Sequence, residues 1–372
     1  MKNSLGIILI AAAAITIASG GNNPSTSRST APNTTRETKS TFPYNITAVD
    51  PDVNQQLLKD FTGPKAGFVQ VGPSKYIFPQ TFKKHAEGLY NLQSRPDDIW
   101  VASFPRSGTT LMQELVWLIA NDFDYTTAQN KSLDERFPFY EFCVLIHDTI
   151  AGREDEDSKK FAEKLLKMIG GPGYEHISNI KTKRFIKTHL PFSLMPPSVM
   201  KKKAKVIYMA RNPKDVIVSF YYFHRLHRTM RNSVDFKQFW DYFEKDLVNW
   251  SPYWSHIKEG YARRNEPNVL FLYYEDVTKD LPLAIQKVAK FIGKKTITEE
   301  QVQKLAEHLN IENFRKNTAV NQQNLSKTDN SFIRSGKSTL KGWPKEYTDE
   351  IISRVEMWIE KNLADTTLRF PQ

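Results

Sequence analysis

Two residues near the middle of the chain have side chains suited to proton transfer and charge stabilisation. Lys187 and His189 stand two positions apart in the stretch Arg-Phe-Ile-Lys-Thr-His, which places both on one face of an extended segment. Histidine can remove a proton near neutral pH, and a lysine ammonium can stabilise negative charge that develops nearby. A histidine before Leu-Pro is also often structural, so a role in packing alone is the second interpretation.

An earlier stretch has the composition of an anion-binding turn. Between a strand-like run and a helical pattern stand Arg106, Ser107, Gly108, Thr109 and Thr110. Glycine allows a tight turn, the hydroxyls lie beside the free N–H groups of a starting helix, and the arginine adds positive charge. Loops that bind nucleoside triphosphates have the pattern Gly, four residues, then Gly-Lys-Ser/Thr. This pattern is absent here. The stretch predicts a phosphate-binding loop, with a simple capped helix start as the alternative.

A second cationic position follows the strand-like run Lys205–Ala210. Arg211 comes directly after it, and Asn212 and Pro213 have the residue types of a helix N-cap and first helical position. An arginine there can bind a phosphate through two parallel hydrogen bonds, and we expect Ser219 to face the same space. A surface arginine bonded to loop carbonyls is the alternative.

Two late features complete the candidates. One is a cationic loop formed by Arg334, Ser335 and Gly336, which could close over an anion. A solvated loop is the alternative interpretation. His224 and His227 have helical spacing for a metal pair, but no third ligand is evident in the sequence. We therefore predict no metal site.

The elements that position these residues alternate along the chain. From about Asp98 onward, strand-like runs alternate with helical segments, which favours an α/β fold with a mostly parallel sheet. Ligands bind beyond the carboxyl ends of such strands. The predicted strands are Asp98–Phe104, Arg184–Thr188, Lys205–Ala210 and Val269–Tyr273. We predict one domain over residues 46–372, a mostly parallel central sheet flanked by helices, and a phosphate-binding strand-loop-helix. Gly293 predicts a helix end, and Thr298 and Thr348 predict helix starts.

The N-terminal residues have a different composition. Residues 1–20 contain a lysine, an apolar run and then small residues, typical of a signal peptide, or of a signal anchor if uncleaved. Residues 21–45 are rich in Ser, Thr and Asn and predict a disordered linker. These residues therefore predict a secretory or membrane-anchored location, and a cytoplasmic location is the alternative. Glycosylation sequons occur at Asn33, Asn45, Asn130, Asn249 and Asn324.

Composition narrows the function classes. The single cysteine, Cys143, excludes an intrachain disulfide framework and a cysteine-rich metal site. The formal net charge of +11 suits an anionic ligand, a nucleic acid or an anionic membrane. Lys and Arg residues concentrate at the strand-end motifs rather than along one helix, which disfavours nucleic-acid binding.

Taken together and in this order, the motifs resemble those of the cytosolic-type sulfotransferases, which use 3′-phosphoadenosine 5′-phosphosulfate (PAPS) as sulfuryl donor. The resemblance runs from about Phe78 to about Tyr347. It implies that the loop from Arg106 to Thr110 holds the 5′-phosphosulfate and that Arg211 and Ser219 bind the 3′-phosphate. It also implies that Lys187 and His189 are the catalytic lysine and base, that Arg106 assists catalysis, and that Tyr274 lies near the adenine.

Several positions depart from the family pattern. Leu111 replaces the tryptophan that often stacks on adenine, and Leu309, Asn310 and Ile311 replace a Thr-Ser-Phe adenine contact. The Arg-Lys-Gly phosphate-binding loop appears here as Arg334, Ser335 and Gly336, with Lys337 as a neighbouring source of the missing charge. The family's dimerisation motif has no match, and the oligomeric state is not predicted.

The predicted reaction is sulfuryl transfer to the hydroxyl of a small lipophilic alcohol or phenol. The acceptor class is based on an aromatic cluster in the family's acceptor region, formed by Phe137, Phe139, Tyr140 and Phe142, which is equally consistent with a core cluster. A non-catalytic protein that binds PAP, the desulfated donor, or a lipophilic ligand is the main alternative. A P-loop kinase is disfavoured because the Walker lysine is missing.

Overall fold

The computed structural model describes residues 40–145, 173–320 and 343–371. The predicted signal segment 1–20, residues 21–39 of the linker, and the loop bearing Arg334, Ser335, Gly336 and Lys337 lie outside the described residues. Within the rest of the predicted linker, Ser40 donates its N–H to Oδ1 of Asn91 at 3.0 Å and Phe42 packs on Tyr90 at 5.6 Å. Residues from Ser40 onward therefore pack against the domain.

The central sheet has four parallel strands, as predicted. Its order is β5-β4-β6-β7, and a separate antiparallel sheet has the order β1-β2-β3. The four predicted central strands are confirmed with ends that differ by at most one residue, whereas the antiparallel sheet was not predicted because its short strands lack a clear period. The strands are β1 (Ile46–Ala48), β2 (Phe68–Val71), β3 (Tyr76–Pro79), β4 (Ile99–Ser103), β5 (Phe185–Thr188), β6 (Lys205–Ala210) and β7 (Val269–Tyr273).

Helices cover the sheet. Within the described ranges they are α1 (Pro51–Asp60), α2 (Phe82–Tyr90), α3 (Thr109–Ala120), α4 (Tyr125–Asn130), α5 (Leu133–Arg136), α6 (Gly173–Asn179), α7 (Pro197–Lys201), α8 (Pro213–His227), α9 (Phe236–Glu244), α10 (Tyr253–Ala262), α11 (Tyr274–Lys279), α12 (Leu281–Ile292), α13 (Glu299–Leu309), α14 (Ile311–Lys316) and α15 (Asp349–Leu363). No helix in this part of the chain is long and apolar enough to cross a membrane.

The predicted helix boundaries are set by local side-chain chemistry. The Asn212 side chain accepts the N–H of Lys214, with Pro213 at the first helical position. Thr298 forms a capping box with Gln301, and Thr348 caps α15. Gly293 ends α12 in the left-handed conformation, with φ 87°. These boundaries confirm the sequence predictions.

The core lies on both faces of the central sheet. Trp100 and Ala102 of β4 belong to one buried cluster, whereas Ile99 and Val101 belong to a second. Alternate residues of a strand point to opposite faces, so both faces of β4 are covered. Burying each large apolar side chain contributes about 1.5–3 kcal/mol. Burial of both faces explains why the strands are continuously apolar.

A buried ion pair joins the amino ends of two central strands. Asp98 immediately precedes β4, and Arg184 immediately precedes β5. Nε of Arg184 donates to Oδ1 of Asp98 at 2.7 Å, and both side chains are almost fully buried. The backbone carbonyl of Asp98 also accepts the N–H of Lys205 at 3.1 Å. Asp98 therefore links the starts of three neighbouring strands.

We expect Arg184→Met to lower the free energy of unfolding by about 3–5 kcal/mol, because it leaves the Asp98 carboxylate buried without its cation. Urea denaturation measures the change. The matched control is Arg263→Met, which removes the exposed pair with Glu266 and should cost less than about 1 kcal/mol. The double variant Asp98→Asn/Arg184→Met should recover part of the loss. Equal effects of Arg184→Met and Arg263→Met would contradict this role.

Candidate active site

The carboxyl ends of the central strands bring the predicted motifs together. Ala102 of β4 pairs with Thr188 of β5, and Ser103 pairs with Met209 of β6. The residues that follow these strands therefore emerge at one edge of the sheet. The predicted phosphate-binding loop, the Lys-Thr-His segment and Arg211 share this edge.

The backbone conformation of the loop after β4 depends on a glycine. Gly108 is the N-cap of α3 and has φ 95°, a conformation that glycine adopts at little cost. A Cβ at this position would lie 2.5 Å from Cδ2 of Tyr274. Arg106 also has a positive φ of 69°, and its carbonyl accepts a hydrogen bond from Nη1 of Arg211 at 3.0 Å. The two phosphate motifs therefore support each other.

Two polar atoms at this edge suit an anionic ligand. The hydroxyl of Ser107 and Nε of Arg211 are buried, and neither has a hydrogen-bond partner among the described residues. Buried polar groups in folded proteins are rarely left without a partner. Both atoms can donate to phosphate oxygens, and the N–H groups that open α3 add further donors. The residues present therefore fit a bound phosphate.

Arg106 and Ser219 contact each other directly. Nε of Arg106 donates to Oγ of Ser219 at 3.1 Å, and its guanidinium carbon lies 5.3 Å from the centroid of the Phe223 ring. Ser219 and Phe223 are four residues apart on α8 and share one face. The prediction that Ser219 faces the space beside Arg211 and the loop is consistent with this contact.

Tyr274 packs against the apolar cluster to which Leu111 belongs. The Arg211 guanidinium carbon lies 4.3 Å from the centroid of the Tyr274 ring, so this tyrosine borders the predicted phosphate site. Leu111 is only 8% exposed and belongs to the same apolar cluster as Leu309. The contribution of Leu111 and of Leu309, Asn310 and Ile311 to an adenine pocket stays a prediction.

His189 is held in one tautomer. Its Nδ1 lies 2.8 Å from the backbone carbonyl oxygen of Ser103, and a carbonyl oxygen can only accept, so Nδ1 carries the proton. Nε2 then has a lone pair, and no described residue bonds to it. Burial, reinforced by the charge of Lys187, lowers the pKa of His189 well below its usual value. The imidazole therefore stays neutral and able to accept a proton.

Lys187 lies beside this imidazole and an aromatic ring. Its Nζ is 4.4 Å from the centroid of the Phe139 ring. Burial lowers the pKa of Lys187, and the charge of Arg106 acts in the same direction. A partly desolvated ammonium interacts strongly with negative charge. Lys187 and Arg106 can therefore stabilise an anion near His189.

The predicted aromatic cluster divides between the site and the core. Phe139 lies 5.3 Å from the His189 ring, and Phe142 lies 6.0 Å from Phe139. Phe137 and Tyr140 are fully buried, and the hydroxyl of Tyr140 donates to the carbonyl of Leu89. Phe137 and Tyr140 are therefore core, Phe139 borders the candidate base, and Phe142 packs against Phe139.

The sequence analysis missed three residues that surround His189. Trp250 packs edge-on against its ring at 5.5 Å, Glu141 accepts its backbone N–H at 2.6 Å, and His256 donates to its carbonyl at 2.8 Å. No local pattern marks them, since they come from segments 48 to 67 residues away. The one hint in the sequence is that Glu141 stands between aromatic residues of the cluster.

Of the two histidines on α8, His224 has a structural environment, whereas burial and the nearby charges of Arg106 and Lys187 lower the pKa of His227 to about 3. Nδ1 of His224 lies 2.7 Å from the hydroxyl of Thr229, and its ring packs against Phe61 and Phe220. Within the described ranges, no three His, Cys, Asp or Glu side chains form a group that could hold a metal ion.

Comparisons with known proteins agree with this geometry. Residues 96–367 match the family model described as the sulfotransferase domain. Luciferin sulfotransferase of Photinus pyralis is 33% identical over 335 residues, which cover 85% of each chain. The crystal structure of retinol dehydratase with retinol and PAP has a TM-score of 0.80 at 36% identity and covers 89% of this chain and 99% of that one. The same enzyme with androsterone and PAP gives a TM-score of 0.79 at 37% identity, with the same coverage.

The matched range contains the predicted phosphate-binding loop, the Lys-Thr-His strand end, Arg211 and Tyr274, all at one edge of a parallel sheet. The chain therefore belongs to the sulfotransferase family and is a PAPS-dependent sulfotransferase.

Proposed function

We propose that this chain transfers a sulfuryl group from PAPS to the hydroxyl of a small lipophilic alcohol or phenol, with His189 as the general base. The observation that carries the proposal is the hydrogen bond from Nδ1 of His189 to the Ser103 carbonyl. It leaves Nε2 unprotonated at the edge of the sheet where the phosphate motifs also lie. A base needs this tautomer before it can take a hydroxyl proton.

The donor would be held by the loop after β4 and by the start of α8. Ser107, Thr109, Thr110 and the N–H groups of α3 would bind the 5′-phosphosulfate, and Arg211 with Ser219 would bind the 3′-phosphate. When bound, PAPS supplies an activated sulfuryl group joined to a phosphate that can leave. The cationic loop of Arg334, Ser335 and Gly336 is proposed as a further phosphate contact.

Catalysis by the protein would consist of positioning and charge stabilisation. Group transfers of this kind pass through loose, charge-rich transition states. His189 would remove the acceptor proton, while Lys187 and Arg106 would stabilise negative charge on the transferred group and the departing phosphate. Burial lowers the pKa of both His189 and Lys187. It keeps the imidazole unprotonated, and it strengthens the interaction of the cationic groups with developing negative charge.

A lipophilic acceptor is supported by the aromatic surroundings of the base. Phe139 and Trp250 pack against the His189 ring from different segments, and apolar walls with few polar groups are typical of small-molecule pockets. The retinol dehydratase structures contain retinol and androsterone, both lipophilic alcohols. A single hydroxyl on an apolar skeleton is the acceptor chemistry that we propose.

Changing Arg211 to Gln is expected to weaken PAP binding by about 10- to 100-fold, because a hydrogen bond to a charged group contributes about 1.5–3 kcal/mol. Calorimetric titration with PAP measures the affinity, with ATP as the competing nucleotide. Arg264→Gln is the matched control, since Arg264 also lies over a tyrosine ring but is exposed. Unchanged PAP affinity in Arg211→Gln would remove Arg211 from the donor site.

Replacing His189 with Ala should lower turnover by about 10²- to 10⁴-fold while PAP affinity stays the same. Release of PAP and formation of the sulfate ester are measured separately, with androsterone as acceptor. His176→Ala removes a half-buried histidine of α6 and serves as the control. Near-normal turnover in His189→Ala would overturn the base assignment. PAP binding without turnover of androsterone in the wild-type chain would exclude androsterone as an acceptor and leave the donor site in place.

We also propose that residues 1–20 direct the chain to the secretory pathway. Asn45 and Asn130 are exposed, whereas Oδ1 of Asn249 is buried. Expression of the full chain in a eukaryotic secretory host should therefore give glycans at Asn45 and Asn130 but not at Asn249. Mass spectrometry after enzymatic deglycosylation measures this, with Asn45→Gln and Asn130→Gln as controls. A chain without glycan at either exposed sequon would contradict the targeting proposal.

A further inference from the structure

A buried carboxylate lies directly behind the candidate base. Glu141 is 1% exposed. Its Oε1 accepts the backbone N–H of His189 at 2.6 Å and the indole N–H of Trp250 at 3.3 Å, and its Oε2 accepts the hydroxyl of Thr188 at 2.8 Å. One side chain therefore holds two consecutive residues of the strand end and one wall of the site.

The main-chain carbonyl of His189 is also hydrogen-bonded to a buried side chain. Its carbonyl accepts a hydrogen bond from Nε2 of His256 at 2.8 Å, and Nδ1 of His256 lies 2.6 Å from the hydroxyl of Tyr208. Burial lowers the pKa of His256 to about 4, so this ring stays neutral at physiological pH. The backbone of His189 is thus held at both its N–H and its carbonyl.

We propose that Glu141 is a positioning residue for the general base. Its carboxylate fixes the backbone at His189, and so keeps Nδ1 on the Ser103 carbonyl and leaves Nε2 for the acceptor hydroxyl. Through Trp250 it also fixes the ring that packs against the imidazole. The proposal rests on the role of His189 in the proposed function, and it adds a residue that never touches the substrate.

The number and type of donors explain why a carboxylate is needed. Three donors converge on Glu141, and an ionised carboxylate is an acceptor on both oxygens. A glutamine has nearly the same shape but only one acceptor oxygen, so its NH₂ group would replace either the acceptor of the Thr188 hydroxyl or the acceptor of the two N–H groups. Burial raises the pKa of the Glu141 carboxyl to about 7, whereas these hydrogen bonds and the nearby charge of Lys187 favour the ionised form. Glu141→Gln should therefore disturb the base while changing the packed volume little.

Two acceptors with different needs for a base test the proposal. Androsterone is an alcohol that must lose its proton during transfer, whereas para-nitrophenol is already largely ionised in mildly alkaline buffer. With full-length enzyme and PAPS, Glu141→Gln should lower kcat for androsterone on the order of tenfold to a hundredfold, a smaller loss than removal of the base itself. Its kcat for para-nitrophenol and its PAP affinity should change little. Equal losses with both acceptors, or no loss with either, would overturn the proposal.

The matched control is Glu259→Gln. Glu259 also accepts a backbone N–H and hydroxyl groups, from Ser193 at 2.7 Å and 2.9 Å and from Tyr76 at 2.7 Å. It does not contact His189, so its substitution should leave the ratio of the two rates unchanged. In the His189→Ala background, Glu141→Gln should add no further loss with androsterone, because residues that act as a unit are not additive.

A spectroscopic readout separates this proposal from the base assignment. Nitrogen NMR of histidine-labelled protein reports which ring nitrogen of His189 carries the proton, independently of turnover. We expect the Nδ1–H tautomer in the wild type and a mixture in Glu141→Gln. If His189→Ala lowers neither rate, the base assignment fails, and the tautomer measurement alone then decides whether Glu141 positions the ring. An unchanged tautomer in Glu141→Gln would overturn the positioning role.

Discussion

The parallel register of β4 with β5 and β6 is the constraint on which the site depends. The loop after β4, Lys187 and His189 of the β5 end, and Arg211 after β6 all lie at the carboxyl ends of these strands, and the backbone ladder sets where those ends lie. A slip by one residue would turn every side chain of a strand to the other face. The apolar clusters on both faces and the buried pair of Arg184 with Asp98 oppose such a slip. The ion pair at the amino ends of the strands therefore helps to maintain the positions of the site residues at the carboxyl ends.

Burial determines the chemical state of the two catalytic candidates. A histidine in water is partly protonated near neutral pH, whereas burial keeps His189 neutral because its charged form is disfavoured. The same effect weakens proton binding at Lys187. The hydrogen bond to Ser103 then selects one tautomer. Burial and the hydrogen bond to Ser103 together leave the His189 imidazole neutral, with Nε2 unprotonated.

The site contains features that a purely structural edge would avoid. Arg106 has a left-handed backbone conformation, which is unfavourable for a residue other than glycine. Its carbonyl accepts the hydrogen bond from Arg211. The Ser107 hydroxyl and Nε of Arg211 are buried without described partners. Local conflicts of this kind concentrate at functional sites, where a ligand supplies the missing interactions.

The sequence alone determined the central strands, their helix caps and the strand-end motifs, because these depend on short-range patterns of apolar, capping and turn residues. It also predicted roles for Lys187, His189, Arg106 and Arg211, because their residue types indicate the chemistry directly. Only the tertiary structure decided that Phe139 borders His189 whereas Tyr140 is core, and that Glu141, Trp250 and His256 surround the base. These contacts join segments far apart in the chain. Their geometry is set by how the sheet and helices pack, and no local pattern encodes it.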